Sequence, residues 1–150
     1  MYERLLVPLD GSEVAEVVLP FAESLAGPLD LQITLVRVVE PLRHVPAEGA
    51  YLVNYNQVLV EQEKEARAYL EEVQGRLQRR GLKAAAEVRT GLPAEVILEV
   101  AAERKADVIA MCTHGRTGLK RLLFGSVAQQ VLSRSPLPVL LVRMPEGMGD

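Results

Sequence analysis

A chain of 150 residues has the length of one ordinary domain and is long enough to bury a core of its own. Its hydrophobic content is 49% but only 4% is aromatic, so the core is aliphatic, and a net charge of −3 offers no general attraction to nucleic acid or an anionic membrane. The single cysteine, Cys112, excludes an internal disulfide, and two histidines far apart, His44 and His114, argue against a zinc site.

Strand-like and helix-like segments alternate along the chain. Residues 5–9 form a short apolar run, closed by Asp10-Gly11-Ser12, with Ser12 placed to cap a helix. Ala15, Val18, Leu19, Ala22 and Leu25 then recur at steps of three and four, one face of an amphipathic helix that Gly27-Pro28 is expected to stop. A second strand, rich in β-branched residues, covers residues 31–39. Residues 40–56, with Pro41, Pro46 and Gly49, read as a long loop or lid. A long helix is predicted over residues 57–80, with Ala66, Leu70, Val73 and Leu77 as its buried stripe. Gly75 weakens it by about 1 kcal/mol relative to Ala and marks a possible bend, and Gly81 stops it.

Residues 82–89 make a third strand. Thr90-Gly91-Leu92-Pro93 leads into a helix that starts on Pro93 and turns Ile97, Val100 and Ala101 inward. A very apolar fourth strand covers residues 107–111, a last helix 126–133, and a fifth strand 138–142. The alternation implies an α/β fold, three layers with a doubly wound five-stranded parallel sheet, in one domain over residues 1–150. The N-terminus enters a strand without a long apolar leader, and no stretch reaches membrane-spanning length, so a cytoplasmic protein is expected.

In a doubly wound sheet, ligands sit beyond the carboxyl ends of the strands where the winding reverses, here after strands one and four. The chain leaves strand four through Met111-Cys112-Thr113-His114-Gly115-Arg116, passes Lys120 and Arg121, and re-enters a helix at Gly125-Ser126. Glycines let the backbone approach an anion, free N–H groups at a helix start attract negative charge, and the basic side chains add to both. A second reading explains the same residues without a ligand: Ser126 and Gln129 have the spacing of a capping box. The loop is not a P-loop, since no Gly-Lys-Ser/Thr occurs. After strand one, Pro8-Leu9-Asp10 is the facing segment, with Asp10 a nucleotide contact or simply a cap. Glu13 and Glu16 make that side unfavourable for phosphate. Phosphates are therefore expected toward Gly125-Ser126, and base and sugar toward Pro8, Asp10 and the end of strand two.

These residues resemble the universal stress protein family over essentially the whole chain. The resemblance rests on Val7-Pro8-Leu9-Asp10-Gly11-Ser12, on His114-Gly115-Arg116-Thr117-Gly118 with Gly125-Ser126-Val127, and on the closing run from Ser135 to Val142. It implies a Rossmann-like fold with strand order 3-2-1-4-5. It also implies an adenine pocket near Pro8, Asp10 and the backbone of Val38, and phosphate contacts from Gly115, Gly125, Ser126 and Val127. Leu9, Met111, Cys112, His114 and Arg116 complete the expected lining. ATP-binding members carry Gly, two residues, Gly, nine residues and Gly-Ser or Gly-Thr. Gly115 and Gly125-Ser126 fit, whereas Cys112 replaces the first glycine. A positive φ there would cost a side chain about 1–2 kcal/mol; the alternative, favoured because the residue follows an extended run, is that Cys112 continues the strand.

The reading is an ATP-binding regulatory or stress-response module, the nucleotide accompanied by Mg2+, with no catalytic residue assigned. A slow ATPase or phosphotransferase in the same pocket, or a nucleotide-free interaction module, are the alternatives. A receiver needs more acids after strand one, and a flavin site needs more aromatics than this chain has. Val139–Val142, an apolar strand expected at a sheet edge, tends to pair with its own copy, and the resemblance likewise implies a homodimer through it.

Overall fold

Residues 1–41, 49–114 and 124–147 are described by the computed structural model, with backbone alone over 49–54. Within them five strands, β1 (Arg4–Pro8), β2 (Gln32–Val39), β3 (Lys83–Thr90), β4 (Val108–Cys112) and β5 (Val139–Val142), alternate with helices α1 (Leu19–Leu29), α2 (Gly49–Arg79), α3 (Pro93–Glu103) and α4 (Ser126–Arg134). A short 3-10 turn, Ala15–Val18, precedes α1. All strand pairs are parallel, in the order β3-β2-β1-β4-β5 that the family resemblance implies.

Alternation of side chains along the strands builds two separate cores. On one face Leu5, Val7, Ile33, Leu35 and Val108 pack with Leu19, Ala22 and Ala26 of α1 and Leu70, Val73 and Leu77 of α2. On the other, Leu6, Val36, Ile109 and Met111 meet Val96, Ile97, Val100 and Ala101 of α3 and Ala128 and Val131 of α4. A wholly buried aliphatic side chain of this kind contributes about 1.5–3 kcal/mol, which is how a chain without Trp closes three layers. The start of β1 is tied to β4 by Asp107, whose carboxylate accepts the Glu3 and Arg4 N–H groups at 2.7 and 2.8 Å.

Three boundaries differ from the sequence-based expectation. The helix expected after Ser12 opens as the 3-10 turn Ala15–Val18, and α1 itself starts only at Leu19. Helix α1 runs through Gly27-Pro28 and stops only at Asp30, which adopts the left-handed conformation (φ 53°, ψ 43°). Pro28 sits in the last turn, and the end is closed by Asp30 N–H to Gly27 C=O (3.2 Å) and Leu31 N–H to Ala26 C=O (2.9 Å), with Leu31 buried beneath. Helix α2 begins at Gly49, eight residues before the expected start, so half of the predicted lid is helix. After Gly49 the segment holds neither Gly nor Pro until Gly75, and nothing local breaks the helix. Residues 42–48 of that expected lid, His44 and Pro46 among them, lie outside the described residues. Gly81 ends α2 as expected, at φ +84°, with Leu82 N–H bonded to Leu77 C=O at 3.1 Å. Among the described residues no helix is long and apolar enough to cross a membrane.

Candidate functional site

The pairing of β1 with β4 is short. It spans Leu5–Val108 and Leu6–Ile109, although β1 continues to Pro8 and β4 to Cys112. β1 and β2 stay paired to Pro8–Val36, so the sheet opens only on the β4 side, where the winding direction reverses. A cavity of about 610 Å³ occupies this opening. Its walls are the ends of β1 (Pro8, Leu9, Asp10), β2 (Val36 to Glu40) and β4 (Met111 to His114), the start of α4 (Gly125 to Ala128), Pro93 of α3 and Gln62 and Glu65 of α2.

One end is built from strand backbone. Leu9 N–H bonds Val36 C=O at 2.9 Å, so Val36 turns its peptide groups toward β1; Gly91 N–H bonds Val39 C=O at 3.0 Å, so Val39 faces β3. Residues two apart on a strand face the same way. Val38 therefore presents its N–H and C=O on the β1 side, past the point where β1 has ended. Asp10 borders the same cavity, its Oδ1 accepting the Ser12 N–H (2.9 Å) and hydroxyl (2.5 Å), while Ser12 Oγ accepts the Ala15 N–H at 3.1 Å. Ser12 thus bonds the first residue of the 3-10 turn, but the N-caps of that turn and of α1 are Val14 and Val18, neither with a side-chain cap, so the helix cap expected at Ser12 is not realised.

The other end is the start of α4. Its N-cap is Gly125 (φ −67°, ψ 163°), and among the described residues no side chain caps it. Ser126 is already inside the helix, and Gln129 N–H bonds Gly125 C=O at 3.0 Å as an ordinary helical bond. The capping-box reading of Ser126 and Gln129 is therefore not realised, because it needs Ser126 one position earlier. α4 has no acid in its first turn. Glu16, counted in the sequence as a repulsive charge, is instead engaged on α2: it accepts the Tyr69 phenol at 2.7 Å and pairs with Arg76 at 2.8 Å. Burial and that bond to Glu16 both push the Tyr69 phenol upward, keeping it protonated. The Arg37 guanidinium lies 5.2 Å from the Tyr69 ring centre, adding a cation at the wall of the cavity.

Pro8, Leu9, Asp10, Val38, Met111, Cys112, His114, Gly125, Ser126 and Val127 all border the cavity. Gly115 and Arg116, with Lys120 and Arg121, lie outside the described residues. Cys112 is the last residue of β4, paired with Val142 and buried, and it is not among the residues with positive φ. Among the polar lining residues, Arg37, Glu40, Gln62, Glu65 and Thr113 are not marked by the sequence pattern as site residues. The first four come from a strand, its end and a helix face, where local pattern carries no sign of a pocket. Thr113 lies inside the motif between Cys112 and His114. Among the described residues no three His, Cys, Asp or Glu side chains are grouped to hold a metal ion.

Comparison with known proteins agrees with this architecture. The model of the universal stress protein family matches residues 1–143. Universal stress protein MJ0531 of Methanocaldococcus jannaschii is 36% identical over 148 residues, spanning 97% of this chain and 85% of its own. The solved structure of MJ0577 from the same organism superposes with a TM-score of 0.87 at 29% identity, over 97% of this chain and 99% of that one. A universal stress protein from Archaeoglobus fulgidus, solved in complex with dAMP, shares the fold with a TM-score of 0.65 at 22% identity, covering 93% and 97% of the two chains.

Proposed function

The chain belongs to the universal stress protein family, and on that premise we propose that the cavity between the ends of β1 and β4 binds ATP, as a regulatory module of one domain. The observation that carries this reading is the polarity of the cavity. At one end the Val38 N–H and C=O form a donor–acceptor pair, the complement of the adenine edge with its exocyclic amine and ring nitrogen. At the other, the start of α4 offers N–H groups and the positive end of the helix dipole to phosphate. The dAMP held by the A. fulgidus protein supports an adenine nucleotide as the class of ligand.

Pro8, Leu9, Asp10 and Val38 would take the base and sugar; Gly125, Ser126 and Val127, with Gly115 and Arg116, the phosphates. Met111, Cys112 and His114 would form the wall between. Mg2+ fits as a companion of the phosphates, since such ions are held largely by nucleotide oxygens and water with one or two protein carboxylates, and Asp10, Glu40 and Glu65 border the cavity. Binding rather than turnover is favoured at His114, whose Nδ1 is engaged by the Thr113 hydroxyl at 3.0 Å, a weaker orienting group than a carboxylate. β5 is the edge strand on this side of the sheet, and we place a homodimer contact along Val139–Val142 of a cytoplasmic protein.

Titration calorimetry with Mg-ATP tests the assignment. Saturable binding at millimolar or lower nucleotide is expected. Gly125→Val, which adds a branched side chain to the cavity wall at a φ that valine adopts without strain, should weaken binding by about tenfold or more while the protein stays folded. Absence of both heat and thermal shift at millimolar Mg-ATP would overturn the reading.

A further inference from the structure

Thr113, directly after β4, makes four hydrogen bonds that link three parts of the fold. Its N–H bonds Val142 C=O at the end of β5 (2.8 Å), and its carbonyl accepts the N–H of Gly125, the N-cap of α4 (2.6 Å). Its hydroxyl accepts the Met144 N–H (3.1 Å) and shares a hydrogen bond with His114 Nδ1 (3.0 Å). Thr113 is 4% exposed and His114 7%, so water competes little for these groups. Two of the four bonds anchor the residue on β5 and its continuation, a fixed element. The other two hold what borders the phosphate end of the cavity, the His114 ring and the start of α4.

We propose that Thr113 is the positioning residue of the phosphate end: fastened to β5, it sets where the start of α4, held through the Gly125 N–H, and the His114 ring stand, and so confers affinity for a nucleotide's phosphates and not for its nucleoside. The inference rests on the nucleotide reading above. Its physical ground is that binding by a helix start depends on N–H groups held at hydrogen-bond distance from the anion, whereas base recognition at Val38 depends on β2, to which none of these four bonds runs. Replacing the hydroxyl by a methyl group of similar size removes the Met144 and His114 bonds and leaves the two backbone bonds in place.

Calorimetry on wild-type, Thr113→Val and Thr113→Ser proteins with Mg-ATP and with adenosine separates the possibilities. Thr113→Val should lose about tenfold in ATP affinity and less than about twofold for adenosine, and Thr113→Ser should return ATP affinity to within about threefold of wild type. Equal loss for both ligands, unchanged ATP affinity in Thr113→Val, or no rescue by serine would each overturn the proposal while leaving the nucleotide reading intact. A wild-type protein that binds no ATP would sink both. Amide exchange in the wild type needs no variant: the Gly125 and Met144 N–H groups, both bonded to Thr113, should slow further with Mg-ATP and not with adenosine. Equal slowing with the two ligands would refute the assignment.

Discussion

At residue scale the departure of Cys112 from the glycine pattern of ATP-binding family members has a local explanation. Only a positive φ would have demanded glycine, and Cys112 instead completes β4 opposite Val142 with its thiol buried. A side chain there carries no backbone strain, and the thiol fills space at the cavity wall. Cys112→Gly should therefore change ATP affinity by less than about threefold. It should also lower unfolding free energy by about 1 kcal/mol, since glycine weakens a strand and leaves the thiol's volume empty. Calorimetry and urea denaturation measure the two effects. A large gain in affinity would mean that Cys112 obstructs the site. Ser126 teaches the complementary lesson, because its spacing to Gln129 matched two readings and one position in the helix start separated them.

The elements depend on their ends as much as on their apolar faces. Gly91, between β3 and α3, has φ +154°, and a Cβ placed on it would stand 2.7 Å from Val96 Cγ2, which is itself packed in the second core. Gly91 N–H also bonds Val39 C=O, so the turn that starts α3 is tied to the strand lining the cavity. Gly91→Ala should destabilise the protein by about 1–3 kcal/mol, seen as a fall in Tm, with loss of nucleotide affinity following because β2 and Pro93 share that turn. An unchanged Tm would show that Val96 relaxes freely. Strong local signals such as Gly81 and Pro93 marked element ends correctly in the sequence. Gly27-Pro28 did not: Pro28 gives up only the one bond its N–H would have made back to Ser24 C=O, and the end closed at Asp30 over buried Leu31 holds the helix despite that loss. The early start of α2 was hidden for a similar reason, as Pro41 and Pro46 gave the whole segment a loop-like composition although its second half is free of breakers.

For the whole molecule, the order β3-β2-β1-β4-β5 leaves β5 at an edge with Leu140 38% exposed. A four-residue apolar edge of this kind should associate with a second copy, and sedimentation at micromolar concentration should report a dimer. Leu140→Lys, a charge on that edge, should shift the protein to monomer without lowering Tm by more than a few degrees; a monomeric wild type would contradict the expected contact. The sequence by itself determined the alternation of elements, the aliphatic core and the two loops that flank the winding reversal. Those follow from periodicity and from residues such as Gly, Pro and Asp that act on their immediate neighbours. It also carried the family, through motifs at both ends of the chain. Only the tertiary structure decided that β1 and β4 part after Leu6 and Ile109, that Val38 turns its backbone groups into the gap, and that Arg37, Gln62 and Glu65 reach it from β2 and α2. Only there does Thr113 join β5 to the start of α4. These are relations between segments distant along the chain, set by register and packing, and no local pattern encodes which distant group a residue will face.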